Sequence, residues 1–495
     1  MSRAGVTALV LALLATAPVA HADSAAQATP WAKAGLDWTQ VPPLGADAPF
    51  APPTPTRFTL ASGLKVLVVE NHRLPLVSME LVVADAGSAQ DPAGKSGLAA
   101  FTADLLDEGA GGLGALDIAA RVDELGASLA LGTSYDAAHL EVSTLARTLD
   151  ATLDLVARVI TQPAFDDKEG ARVHDDWLTS LEQRRDEPRQ LVGLVLRAVI
   201  YGVQAAYGRP GDGYLGEFSR VTLADAKAFY RARWTPRAMT LVVVGDVDAK
   251  TLKTRLDAAL GAWKPVGTRP AKITAAAQKP RSRLWLVDRP GAEQADVRVG
   301  ILGVSLRDPR LAAADVLAKI LGGSFSSRLN HRLREELGWT YGANARLSSA
   351  ALVGPFVIGT ALVTPHAVEG VAEILKMVDA LATTFVPDAE LQKARSSVVR
   401  ELPHQFATNG DTAGAFAELV ENGLPDDYFT TYVARVQKVT AKDVREAART
   451  LIPAGKLVVV VAGDGKVVRE GLEKLVGPAT VVPPDLVSAS PPPAR

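Results

Sequence analysis

Arg334 and Tyr341 are two residues whose side chains and separation suit them to chemistry. They stand seven residues apart in LGGSFSSRLNHRLREELGWTYG, residues 321–342. A guanidinium carries a fixed charge on a forked set of donors, and a phenol adds one more. Held side by side, the two can grip a peptide carbonyl or an oxyanion forming from it. The alternative is ordinary surface chemistry, with Arg334 paired to Glu335, Glu336 or another nearby acid and Tyr341 packed half-buried. The local pattern predicts how they are positioned. Leu329, Leu333 and Leu337 fall on one face of a helix, and Gly338 follows as its C-cap. Arg334 then lies inside the helix and Tyr341 just past its end, after a small-residue lead of Gly322, Gly323, Ser324, Ser326 and Ser327.

Other chemistries find little support. The seven histidines are His21, His72, His139, His174, His331, His366 and His404, and no two are three or four residues apart. No local pair can therefore chelate zinc from one helix. His174 with Asp175 and Asp176 reads as a solvated charged face. Gly322-Gly323-Ser324 lacks the lysine of a phosphate loop, and no Gly-x-Ser-x-Gly elbow is present. Cysteine is absent, which removes disulfides, thiolate zinc ligands and thiol nucleophiles together. A net charge of −2 gives no reason to expect a nucleic-acid partner.

The first residues resemble an export signal. Arg3 supplies the positive charge, VTALVLALLA the apolar core and Ala20-His21-Ala22 a small-x-small cleavage site. Residues 1–22 are then a signal peptide, and the mature chain is expected to be periplasmic or secreted. No stretch reaches the roughly 18–20 apolar residues that span a bilayer. Residues 23–56 form a Pro-rich lead-in.

The elements that must position the pair come from an internal repeat. VTLADAKAFYRARWTPRAMTLVVVGD begins at Val221, and VTAKDVREAARTLIPAGKLVVVVAGD begins at Val439. In each, Val-Thr caps a helix, a Pro-containing turn follows, and a β-branched strand ends in Gly-Asp. Upstream, FDDKEGARVHDDWLTSLEQ from Phe165 is similar to FVPDAELQKARSSVVRELPHQ from Phe385. The chain is therefore read as two homologous α/β sandwich halves, 57–265 and 281–475, joined by a linker at 266–280 and followed by a disordered tail at 476–495. Strands and helices do not strictly alternate, so the fold class is α+β and not a doubly wound sheet.

The first half, from GLKVLVVENHRLPLVSMELVVADAGS through GLAAFTADLLDEG to the first repeat copy, resembles the N-terminal domain of the pitrilysin/insulinase family of zinc peptidases. That family includes mitochondrial processing peptidase. The second half resembles the family's C-terminal domain, with residues 321–342 as the most specific segment. The resemblance implies half of a clamshell chamber. In active members the stretch equivalent to GLAAFTADLLDEG carries H-x-x-E-H, two zinc-binding histidines and a glutamate that activates water, with a further glutamate ligand downstream. Here those positions are Ala100, Ala103 and Asp104. The downstream ligand falls near Thr179 or Ser180, with Glu182 close but out of phase. Two methyls and one carboxylate cannot hold zinc, so the resemblance implies an inactive-type subunit with no cofactor of its own. It also implies a homologous zinc-binding partner subunit and a peptide substrate that Arg334 and Tyr341 contact in trans. The alternative is a structural or peptide-binding scaffold of the same fold with no proteolytic role. A third reading, a zinc enzyme with unusual ligands, would need metal in the isolated chain.

Overall fold

The computed structural model describes residues 51–264, 273, 282–348 and 351–490. The expected signal peptide, most of the lead-in and nearly all of the linker lie outside the described residues.

Two six-stranded mixed sheets dominate the fold. The first runs Thr56–Thr59, Lys65–Glu70, Met239–Gly245, Leu76–Ala84, Ala137–Leu145, Ser128–Thr133 in spatial order. The second, read in the same sense, runs Ala479–Val482, Leu284–Asp288, Val458–Gly463, Gln294–Leu302, Pro355–Val363, Ala343–Leu347. The strand that closes each repeat copy, Met239–Gly245 or Val458–Gly463, occupies the same place. It is parallel to one neighbour and antiparallel to the other. Both strands are buried along their whole length, which explains their near-continuous apolar, valine-rich composition. The repeat helices Leu223–Arg233 and Ala441–Leu451 both start in a capping box, Thr222 with Asp225 and Thr440 with Asp443. The outermost strands differ: Thr56–Thr59 is antiparallel to its neighbour, whereas Ala479–Val482 is parallel.

The halves exchange helices. Pro188–Tyr201, from the first half, lies on Gln294–Leu302 and Val458–Gly463 of the second sheet, burying Leu191, Val192, Val195 and Leu196. Asn409–Glu421, from the second half, lies on Leu76–Ala84 and Met239–Gly245 of the first. This joint carries a largely buried ionic bridge. Nδ1 of His139 is 3.1 Å from Glu80 Oε1, and Nε2 is 3.2 Å from Oε2 of Glu421 on the exchanged helix. Ser134 Oγ donates to the other Glu421 oxygen at 2.5 Å. Burial by itself would lower the imidazole pKa. The bonds to Glu421 and Glu80 overcome that and hold it up at about 9, so a charged imidazolium joins the halves at neutral pH.

The end of the chain departs from the expected disordered tail. Ala479–Val482 completes the second sheet beside Leu284–Asp288 and is followed by the helix Pro484–Ala489. The cause is the β-branched run Thr480-Val481-Val482 lying along an open parallel edge, with Val482 and Val487 buried. Among the described residues no helix is long and apolar enough to cross a membrane.

Candidate functional site

The helix Leu98–Asp104 carries the three motif positions. Its start is fixed from outside by Asp91, whose carboxylate accepts from the N–H groups of Gly97 at 2.7 Å and Ala99 at 2.8 Å. Burial pushes Asp91 up to about 7 against the pull of those donors. Phe101 locks the helix inward, edge-on to Phe218 and Trp177. Ala103 is fully buried and Ala100 half-buried. Asp104 alone of the three lines a cavity of about 650 Å³, with Asp107, Glu108, Arg172, Ser180 and Asp212. Ser180 is therefore the downstream position that faces Asp104, whereas Thr179 and Glu182 line a separate depression.

Charge in this cavity is largely settled internally. Arg172 is held by Glu108, by Glu169 at 2.8 Å and by Asp176 at 3.2 Å. Arg184 is held by Asp212 at 2.5 Å and the Gly213 carbonyl at 2.8 Å. Asp104 has no hydrogen-bonding partner among the described residues. Burial first, then the Asp107 and Glu108 charges, push it up to about 6. The donors needed for zinc do not fit: two alanines, one serine and one carboxyl supply no nitrogen ligand. Among the described residues no group of three or more His, Cys, Asp or Glu is arranged to hold a metal. His174 corrects the expected solvated face. Its ring stacks on Phe218 at 5.0 Å and leaves Nε2 buried without a partner, while Asp175 and Asp176 stay exposed. The aromatic Phe101 and Phe218 draw it inward.

The 321–342 segment is built differently. The helix Leu311–Leu321 ends at Gly322, where a Cβ would lie 2.4 Å from the Ala345 amide nitrogen. Glycine there lets the turn lie directly against the edge strand. Buried Asn330 ties the segment's ends together. Its Nδ2 donates to the Ser324 carbonyl at 3.0 Å, and its Oδ1 accepts from the Ala343 N–H at 2.8 Å. The expected helix forms as a short turn, Arg328–Asn330, that widens into a π-helix at His331–Glu336, closed by the Leu337 N–H on the Arg332 carbonyl at 3.1 Å. Such wide turns are rare and cluster at functional sites. Leu329 and Leu333 are fully buried, and Gly338 ends the helix at φ +66°.

Three arginines lie on this stretch. Arg328 makes a two-pronged contact with Glu390 at 2.8 and 2.6 Å. Arg332 is held by Glu373 at 3.0 Å and Glu336 at 2.7 Å. Arg334 approaches only Glu335, at 3.4 Å, and rests 4.4 Å above the ring of Phe325. It donates no hydrogen bond among the described residues. Tyr341 is 89% exposed, its hydroxyl equally free, just beyond Trp339, which is stacked on His366 at 4.8 Å. Of the surface-chemistry alternative, the half-buried Tyr341 is therefore excluded, whereas the Arg334–Glu335 pair is present. Neither Arg334 nor Tyr341 lines the Asp104 cavity. Phe325 and Asn330 were missed by sequence reasoning. For Phe325 the signal was an aromatic residue off the face of the buried leucines; Asn330 gave none.

Two α+β halves, one with a peptidase-type motif helix stripped of its ligands, define a peptidase fold of inactive type. The chain belongs to the insulinase family, peptidase family M16. Residues 65–207 match "Insulinase (Peptidase family M16)" and residues 220–398 match "Peptidase M16 inactive domain". The chain is 26% identical over 435 residues to an uncharacterized zinc protease of Mycobacterium bovis, covering 87% of this chain and 98% of that protein. It is 23% identical to a non-peptidase homolog, YmxG, of Helicobacter pylori, over 81% of this chain and 92% of the homolog. Its fold is similar to a crystal structure described as the peptidase M16 inactive domain from Pseudomonas fluorescens (TM-score 0.76, 27% identity), covering 83% of this chain and 98% of that one.

Proposed function

We propose that this chain is the non-catalytic subunit of a two-chain zinc peptidase. A homologous partner supplies the metal, its ligands and the general base. This chain supplies Tyr341 as a donor to the scissile carbonyl while negative charge builds there, and Arg334 as a grip on the peptide backbone or the oxyanion. The observation that carries this reading is the contrast between Ala100, Ala103 and Asp104, which cannot hold zinc, and an Arg/Tyr pair that makes no side-chain hydrogen bond among the described residues beyond a 3.4 Å approach of Arg334 to Glu335. Substrates are unfolded peptides able to enter the chamber that two such chains enclose, and the complex works in the periplasm or outside the cell. Mixing purified chain with its zinc-bearing homologue and assaying peptide cleavage tests this. Tyr341→Phe is expected to lower turnover of the mixture by about 10²–10³; a fully active mixture rules the in-trans role out.

The second reading, a scaffold without proteolytic role, is favoured by the similarity to a non-peptidase homolog. Pull-down from the native source separates the two. A co-purifying homologue with H-x-x-E-H supports the peptidase, and its absence supports the scaffold.

A further inference from the structure

Arg328 and Arg332 are each fixed by acids through two hydrogen bonds of their forks. Arg334 makes only one long contact to an acid, Glu335 at 3.4 Å, and rests on an aromatic face as well. A ring beneath a guanidinium sets its plane through the ring quadrupole and consumes no N–H, whereas a carboxylate would hold it by occupying two. Burial does not account for Phe325. It is 66% exposed, in a segment whose leucines Leu329 and Leu333 are fully buried. An aromatic ring left in water, with the segment's least committed arginine lying on it, is placed to serve that arginine.

We propose that Phe325 is a positioning residue for Arg334: its ring presents the guanidinium edge outward, with free donors, to the backbone carbonyls of an extended peptide. This rests on the reading of Arg334 as a substrate-binding group. Phe325 need touch neither the scissile bond nor the metal. A second exposed ring, Phe385, carries Arg445 at 3.8 Å. It has the same chemistry outside the segment and serves as the internal control.

The test uses the full chain mixed with its zinc-bearing homologue and a fluorogenic peptide. An exposed cation–π contact contributes roughly 0.5–1 kcal/mol, which at about 1.4 kcal/mol per tenfold corresponds to about 2- to 5-fold. Phe325→Leu is expected to raise KM by that factor, with little change in kcat and none in thermal midpoint. Phe325→Trp restores KM, and Phe385→Leu changes nothing. In an Arg334→Gln background, Phe325→Leu adds no further loss. Wild-type KM in Phe325→Leu overturns the inference, as does an undiminished loss in the Arg334→Gln background or failure of Phe325→Trp to restore. If Arg334→Gln by itself leaves KM unchanged, the underlying reading of Arg334 falls, and the inference falls with it for that separate reason.

Discussion

The Leu98–Asp104 helix and the 321–342 segment are held in opposite ways. Around Asp104 both cations of the cavity are committed to acids, and two of the three motif positions end at a methyl group. In the 321–342 segment the scaffold is pinned by Asn330, Arg328 and Arg332, while Arg334 makes only a 3.4 Å approach to Glu335 and Tyr341 is exposed. Both backbones are well ordered by packing and caps, so the difference lies in which side chains remain.

The largest effect is expected at the joint that makes the two regions one unit. His139→Gln leaves the Glu80 and Glu421 carboxylates buried without a cation, which costs about 3–5 kcal/mol, read by urea denaturation at pH 7. The His139 pKa is raised above its unfolded value to about 9. Its stabilisation is therefore complete below about pH 6.5 and is lost as pH rises through 9. The gap between wild type and variant should close over that range; a gap that stays constant to pH 10 breaks the assignment.

Asp104 should behave in the opposite sense. Its folded pKa is raised to about 6, so the folded state holds a proton that the unfolded state has already released. Stability falls as pH rises from about 4 to about 6 and is level above. Asp104→Asn is expected to stabilise the chain at pH 7 by about 1–2 kcal/mol, discounted for the part of the carboxyl that water reaches. A destabilised variant would mean that this carboxylate has a partner after all.

The arginines sharpen the contrast most finely. Arg328→Gln breaks a half-buried, two-pronged pair and should cost about 1.5–3 kcal/mol. Arg334→Gln should stay within about 0.5 kcal/mol of wild type, since its donors do no structural work. Equal costs in parallel denaturation curves would remove the distinction between scaffold arginine and presented arginine.

Much of the frame was legible in the sequence. The Val-Thr…Gly-Asp repeat marks equivalent helices and strands because capping boxes and buried β-branched strands are local signals. The Gly338 cap follows from helical periodicity. The family resemblance narrows the downstream position to Thr179 or Ser180, and the structure puts Ser180 in the cavity that Asp104 lines. What was not legible depends on contacts distant in sequence. Periodicity shows that Pro188–Tyr201 and Asn409–Glu421 have apolar faces but not that each covers the other half's sheet. His139 meets Glu421 and His174 meets Phe218 only after folding. The closing strand Ala479–Val482 needed an open parallel edge that no local pattern reveals. Phe325 was overlooked because an exposed phenylalanine carries no meaning until a guanidinium is found lying on it.

The decisive measurement is peptide hydrolysis by the purified chain with no companion, with and without a metal chelator, alongside its zinc content. No chelator-sensitive cleavage and far less than one zinc per chain are expected, because alanines stand where the ligands would be. Cleavage by the chain alone that a chelator abolishes would contradict the division of labour between a subunit that holds the peptide and one that cuts it.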